Sequence, residues 1–310
     1  LVMNHGNEEI RLSGAVRDST YKNLQMEFSN VDLYKITPEI DSLDIGGRLN
    51  GKLDVLQEKG AYYPNTSMVI DSLAINNILL GNMQLDVSGN ENLTNYTVNA
   101  SLLKDEIESL SATGDINVKG GQPTIDLDID LQKLNMAAFS PLDGDVLSNI
   151  RGFASGSATV TGNYKNPDFG GSLILNNAGL SIPYLNVDID FLNQAQINLT
   201  QQRFVFDNID IQDTKYKTRG VLDGTISHKN FSEWFLDLGI TTDRLLVLDT
   251  EAEEDALYYG TAFISGDAGI KGPTDQLKIE VNATTEEGTI FKIPLSDEES
   301  VGDNSYIHFL

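Results

Sequence analysis

The stretch TIDLDIDLQKL, residues 124–134, alternates apolar and acidic side chains. Ile125, Leu127, Ile129 and Leu131 occupy every second position, and aspartates fill the positions between them. Because successive side chains of a β-strand point to opposite faces, the pattern predicts a strand with one apolar face and one acidic face. Such a strand needs something to cover its apolar face.

The same alternation recurs along most of the chain. Apolar residues at every second position run through the segments that begin at Met83, Leu185, Leu236 and Leu277, and turns rich in Asn, Asp and Gly separate such runs. We predict on the order of twenty short strands at a spacing of about 8–12 residues, which is typical of an antiparallel meander. The sequence therefore predicts an all-β protein.

One segment departs from the alternation: FSPLDGDVLSNIRG, residues 139–152. Ser140 can cap a helix, and the proline after it suits the first helical position. Apolar residues then follow Leu142 at spacings of four and eight, which places them on one helical face. We predict one short helix here, near residues 140–150.

Glycines recur inside the predicted strands. The segments GDINVKG (114–120), GSATVTG (156–162) and GDAGIKG (266–272) share one pattern of glycine and alternating small or apolar residues. Glycine weakens a strand, so its recurrence indicates bends or bulges in a repeated unit. We therefore predict an elongated antiparallel sheet that curls into a U-shaped trough with a hydrophobic inner groove. About twenty strands would extend roughly 100 Å.

The composition excludes several classes of function. The chain has 310 residues and a formal net charge of −25, from 46 acidic and 21 basic residues. Nucleic-acid binding needs a cationic surface, which this charge does not supply. Without cysteine the chain cannot form disulfides or thiolate metal sites, and its three histidines are far apart in sequence. We expect no enzymatic activity, no cofactor and no metal site.

The apolar face of the sheet can be covered in several ways. A second sheet would cover it in a sandwich, and the opposite wall would cover it in a closed barrel. A lipid-facing barrel would show aromatic girdles, whereas aromatic residues make up only 8% of this chain. Alternatively, acyl chains could fill a U-shaped groove, since each buried CH₂ group contributes about 0.8 kcal/mol.

No run of about 18 apolar residues occurs, so we expect no transmembrane helix in this segment. The chain begins without methionine or a signal pattern and stops within a predicted strand. We interpret it as a fragment of a longer protein.

Sequence blocks between about Arg151 and Asp297 resemble the C-terminal domain of the TamB family, in the AsmA-like superfamily and in the version found in the Bacteroidota. The blocks SIPYLNVDIDF and LYYGTAFISGDAGIKGPTDQLKIEVNATTEEGTIFKIPLSD carry much of this likeness. Residues 1–150 resemble the family only in having similar alternating strands and recurrent glycines. We therefore divide the chain into a β-rich groove segment, 1–150, and a continuous TamB-type segment, 151–310.

The resemblance implies a β-taco, which is a long, curved antiparallel sheet with a hydrophobic groove. It also implies a periplasmic location, in a protein anchored in the inner membrane by an N-terminal helix. The implied partners are phospholipid acyl chains and an Omp85-type (TamA-like) outer-membrane barrel. The implied function is non-enzymatic: the groove carries phospholipid between the inner and outer membranes and so supports outer-membrane biogenesis.

The expected groove residues are the inward apolar side chains of four strands. They are Ile125, Leu127, Ile129 and Leu131; Leu185, Val187, Ile189 and Phe191; Leu236, Leu238 and Ile240; and Leu277, Ile279 and Val281. The alternative function is a periplasmic scaffold or chaperone that assists outer-membrane protein assembly by β-strand addition. A third hypothesis, a carbohydrate-acting β-solenoid enzyme, would need a pair of carboxylates in a cleft.

Overall fold

The computed structural model describes residues 1–37, 44–59, 61–119, 123–143, 147–229, 232–252 and 258–294. Within these ranges the chain forms nineteen β-strands and short 3-10 segments. The strands are β1 Val2–His5, β2 Glu8–Val16, β3 Lys22–Asp32, β4 Ile45–Glu58, β5 Ala61–Ile75, β6 Ile78–Gly89, β7 Asn95–Lys104, β8 Ile107–Asn117, β9 Thr124–Asn135, β10 Ser148–Asn163, β11 Asp168–Ile182, β12 Val187–Phe191, β13 Gln196–Gln201, β14 Arg203–Asp213, β15 Arg219–Lys229, β16 Ser232–Thr250, β17 Tyr259–Pro273, β18 Lys278–Thr285 and β19 Ile290–Lys292.

These strands form one long antiparallel sheet with a meander topology. From β1 to β11 each strand pairs with the next strand in sequence. At two positions in the sheet, two short strands take the place of one long strand. Here β12 and β13 both lie between β11 and β14, and β18 and β19 both pair with β17. The prediction of an all-β, antiparallel sheet is confirmed.

The alternation in β9 is realised in the structure. Asp126, Asp128 and Asp130 are exposed, whereas the apolar residues between them are half-buried, and Leu131 is buried. On the apolar face β9 lies beside mostly small residues, since Leu127 pairs with Gly114 of β8 and Val160 of β10, and Ile129 pairs with Ala158 of β10.

The prediction of a helix near residues 140–150 is wrong. A 3-10 segment, Met136–Asp143, begins earlier, and the side chain of Asn135 accepts a hydrogen bond from the N–H of Ala137 at 3.0 Å. Ile150 already belongs to β10, and its N–H donates to the Ser140 hydroxyl at 3.1 Å. Ser140 thus supports a strand rather than capping a helix. Residues 144–146 of the predicted helix lie outside the described ranges.

The repeated glycines mark positions where the backbone adopts positive φ. Gly114, Gly156 and Gly266 have φ values of 152°, 136° and 133°. A Cβ atom at Gly114 would lie 2.0 Å from the carbonyl oxygen of Asp126 on β9. The recurrence therefore reflects a backbone conformation and a close strand approach that side chains do not allow.

Buried apolar residues fall into two clusters along the sheet. One cluster, near β3–β8, includes Val31, Leu49 and Leu102. The other, between β10 and β17, includes Ile211 and Leu245. The ladder between β9 and β10 continues from one half of the chain to the other.

In the part of the chain that the structure describes, no helix has the length and apolar character required to cross a membrane.

A candidate apolar binding cavity

A cavity of about 810 Å³ lies on the apolar face of the second half of the sheet. Its size falls in the range of small-molecule binding sites. Its walls come from the end of β11, from β12, from β14 to β19 and from the segments that join them. The lining residues are Leu147, Leu180, Ile182, Tyr184, Leu185, Val187, Ile189, Phe191, Phe206, Ile211, Leu222, Ile226, Leu236, Leu238, Ile240, Leu245, Leu246, Val247, Leu248, Tyr258, Ala262, Ala268, Ile270, Asp275, Leu277, Ile279, Val281 and Phe291.

Among the described residues of this wall, Asp275 is the one carboxylate, and the other lining side chains are aliphatic or aromatic. An unpaired charge or polar group on such a surface is costly to desolvate, whereas apolar matter gains from contact with it. The cavity is therefore suited to an apolar ligand. Among the described residues, no group of three or more His, Cys, Asp or Glu side chains could hold a metal ion.

The structure brings together three of the four predicted sets of groove residues. Those that line the cavity are Leu185, Val187, Ile189 and Phe191; Leu236, Leu238 and Ile240; and Leu277, Ile279 and Val281. The four residues of β9, Ile125, Leu127, Ile129 and Leu131, lie on the apolar face outside this cavity. Leu185 belongs to a 3-10 segment, Pro183–Leu185, and not to a strand.

Several cavity residues were not among the predicted ones. Ile211 belongs to the alternating stretch NIDIQD of β14, so the period-two pattern could have identified it. Leu245 and Leu246 could not be assigned in this way. The register of β16 against β17 shifts between Thr242 and Leu245 and again after Leu246, so consecutive residues of this stretch line the cavity.

Arg151 holds β12 in place at one side of the cavity. Its guanidinium donates to Asp188 at 2.8 Å, to Asp190 at 2.5 Å and to the carbonyl oxygen of Ile189 at 3.1 Å. A Cβ atom at Gly179 would lie 2.3 Å from this guanidinium, so glycine provides the space for it. These charge-assisted hydrogen bonds fix the backbone of β12, whose Ile189 side chain faces the cavity.

At one end of the cavity, the segment before β12 reaches β16. Asn186 adopts a left-handed conformation with φ 51°, and its side chain donates to the carbonyl oxygen of Asp249 at 2.6 Å. The carboxylate of Asp249 accepts hydrogen bonds from Lys215 and, at 2.9 Å, from Thr261. The hydrogen bond to Asp249 raises the pKa of Lys215. Asp249 therefore joins four segments of the chain at this end.

Three aromatic rings lie beside this junction. Tyr184 and Tyr258 meet edge to face with their centroids 6.1 Å apart, and Tyr258 stacks on Phe291 at 5.6 Å. Burial, together with the neighbouring Tyr184, raises the pKa of Tyr258 to about 12.

A second aromatic cluster occupies the opposite ends of the same strands. The imidazole of His228 lies 5.6 Å from the ring of Phe204, 5.8 Å from Phe169 and 5.0 Å from Trp234. Only 8% of His228 is exposed, and burial lowers its pKa to about 4. The imidazole is therefore neutral at pH 7, and the cluster is uncharged.

A family model described as the TamB C-terminal domain matches residues 207–310. Comparisons with curated proteins and with solved structures gave no match. The matched range contains β15 to β19 and most of β14, which supply most of the cavity wall. It covers the later part of the resemblance drawn from the sequence, which began at about Arg151. The resemblance to the TamB C-terminal domain is therefore confirmed over residues 207–310.

Proposed function

We propose that this chain is a non-enzymatic segment of a periplasmic protein, and that its apolar cavity holds phospholipid acyl chains. The observation that carries the proposal is the cavity wall, whose described residues are apolar at nearly every position and include a single carboxylate, Asp275. Acyl chains match such a wall because they need no fixed polar contacts and gain about 0.8 kcal/mol for each CH₂ group removed from water.

We further propose that the sheet forms a trough and that lipid moves along it between the inner and outer membranes. Contacts between parts of the sheet that are not ladder neighbours support a curled shape, for example the hydrogen bond from Asn186 to Asp249. The half-buried apolar face of β9 would continue the track into the first half of the chain. The match of residues 207–310 to the TamB C-terminal domain supports a role in outer-membrane biogenesis.

Native mass spectrometry of the purified chain, with lipid extraction from the same sample, tests the proposal. Wild-type protein is expected to carry phospholipid. Ile279→Asp places a charge on the cavity wall at a position that is 43% exposed, so the fold should tolerate it while lipid binding is lost. Asn282→Asp adds the same charge to the opposite face of β18 and should retain the lipid. Lipid-free wild-type protein with a full β-sheet content would overturn the proposal.

The position of Ile129 allows a separate test of the track. Ile129 lies outside the cavity, on the apolar face of β9. If lipid passes along this face, Ile129→Asp will reduce lipid transfer while the cavity still copurifies with phospholipid. Unchanged transfer would limit the lipid site to the second half of the chain.

One observation favours a second function, a scaffold for outer-membrane protein assembly that works by strand addition with an Omp85-type barrel as its partner. Every residue of β18 is exposed, and β17 is its one ladder partner among the described strands. Such an edge can accept an extended segment of another protein. Glu280→Pro and Val281→Pro distinguish the two functions, because successive N–H groups point to opposite edges of a strand. One of the two substitutions removes the N–H that points away from β17. That variant should no longer bind an extended segment of an outer-membrane protein and should keep its bound lipid.

A further inference from the structure

The cavity is bounded at one end by the rings of Tyr184, Tyr258 and Phe291, which all line it and touch in series. They come from different parts of the sheet. Tyr184 lies in the 3-10 segment before β12, Tyr258 directly precedes β17, and Phe291 lies in β19. The three side chains therefore link the two sides of the cavity.

The sheet topology makes this contact informative. Between β12 and β17 the ladder runs through β14, β15 and β16, which amounts to four steps between neighbouring strands. In a flat sheet, four steps would separate the two strands by about 19 Å. The centroids of Tyr184 and Tyr258 are 6.1 Å apart. At this end, then, the sheet forms most of a ring, and the aromatic side chains complete it.

The backbone that carries these rings is anchored by several hydrogen bonds, whereas the rings are held by contacts with one another and by the interaction between the hydroxyls of Tyr184 and Tyr258. Asp249 joins Asn186, Lys215 and Thr261 by hydrogen bonds, and these hold the segment before β12 against β16. In contrast, 58% of Tyr184 and 52% of Phe291 are exposed. Ring contacts of this kind are weak compared with the burial of a core side chain, so a change of rotamer can break them.

We propose that Tyr184, Tyr258 and Phe291 form an aromatic gate that controls the access of apolar ligands to the cavity from this end. The gate rests on the proposed function, since it requires that the cavity accept an apolar ligand. In the closed state the rings complete the wall. Rotation of Tyr184 or Phe291 away from Tyr258 opens it, while the contacts of Asp249 keep the surrounding backbone in place.

The test measures the rate at which the neutral fluorescent probe N-phenyl-1-naphthylamine binds, by stopped-flow fluorescence on the full chain. Tyr184→Ala and Phe291→Ala each remove one exposed ring of the gate. We expect each variant to bind and release the probe about fivefold faster, with a smaller change in Kd, because the barrier falls more than the affinity. Tyr164→Ala is the matched control. Tyr164 is similarly exposed, at 54%, and does not line the cavity, so its rates should equal those of the wild type.

A locked gate provides the converse experiment. The chain contains no cysteine, so Tyr184→Cys together with Tyr258→Cys introduces the only thiols. Joining them with a short bismaleimide linker should slow probe binding by about tenfold relative to either single variant treated with the same reagent. The singly modified proteins control for the added bulk.

The outcomes separate the gate from the cavity. If the wild-type protein binds the probe and neither truncation nor the linker changes the rates, the gate is refuted and the cavity stands. If no form of the protein binds the probe, the accessible apolar cavity is refuted, and the gate with it. Faster binding in both truncations, slower binding in the linked protein and no change in Tyr164→Ala together establish the gate.

Discussion

Asp213 is fully buried, and its carboxylate organises the loop between β14 and β15. It accepts hydrogen bonds from the backbone N–H groups of Lys215, Tyr216 and Thr218 at 3.0, 2.5 and 2.6 Å. Asp213→Ala would leave these donors without an acceptor, so we expect the free energy of unfolding to fall by about 3–5 kcal/mol, measured by urea denaturation. Asp207→Ala, at an exposed position of the same strand, should change it by less than about 0.5 kcal/mol. Equal effects of the two substitutions would contradict this assignment.

His228 should make stability depend on pH. Its pKa is lowered from 6.5 to about 4 by burial, so below pH 6.5 the unfolded chain binds a proton that the folded chain does not. His228 therefore contributes to the free energy of unfolding at a pH above its pKa in the unfolded chain, and this contribution is lost as the pH falls towards 4. We expect the wild type to lose about 3 kcal/mol more than His228→Phe between pH 7 and pH 4, measured by urea denaturation at each pH. Parallel profiles of the two proteins would disprove this role of His228.

At the scale of a strand, the positive-φ glycines should tolerate no side chain. Gly224 in β15 has φ 126°, and a Cβ atom there would lie 2.1 Å from the carbonyl oxygen of Asp237. Gly224→Ala should therefore lower the free energy of unfolding by about 2–4 kcal/mol, through backbone strain and displacement of β16. Gly239, in β16, has no atom within 4 Å of a Cβ position. Gly239→Ala should be neutral or stabilise by up to about 1 kcal/mol in the same measurement. Similar losses in both variants would argue against a special role for Gly224.

The strands were largely predictable from the sequence, because alternation reports directly which side chains share a face. The 3-10 segment Met136–Asp143 was not, since its capping and spacing signals also fit an α-helix. The tertiary hydrogen bond from Ile150 to Ser140 decided the local structure in favour of a strand. The shifts of register in β16 were equally hidden, because a bulge changes which residues face inward without changing the composition.

At the scale of the whole molecule, the two apolar clusters predict two unfolding transitions. Leu102 and Leu245 are buried members of different clusters, with 3% and 1% of their surface exposed. Because each strand of an extended meander contacts mainly its neighbours, Leu102→Ala and Leu245→Ala should each lower the stability of one transition by about 2–5 kcal/mol and leave the other unchanged. Urea denaturation followed by circular dichroism can resolve them. A single transition that both variants shift equally would contradict this prediction.

The candidate site was predictable only in part. Alternation identified Val187, Leu238 and Ile279 as inward-facing, and these do line the cavity. It identified Ile129 in the same way, yet Ile129 lies outside the cavity. The pattern reports the face of a strand but not which strands approach each other. That proximity depends on the curvature of the sheet and on contacts such as those of Tyr184 and Asp249, which have no period-two signal.

The most direct test of the central claim is photo-crosslinking in cells that express the full-length protein. A benzophenone amino acid replaces Leu238, which lines the cavity, or its neighbour Asp237, which is exposed on the other face of β16. If the cavity holds acyl chains, the probe at position 238 will capture phospholipid, detected by mass spectrometry, and the probe at 237 will not. Capture of protein rather than lipid at 238, or equal lipid capture at both positions, would contradict the account.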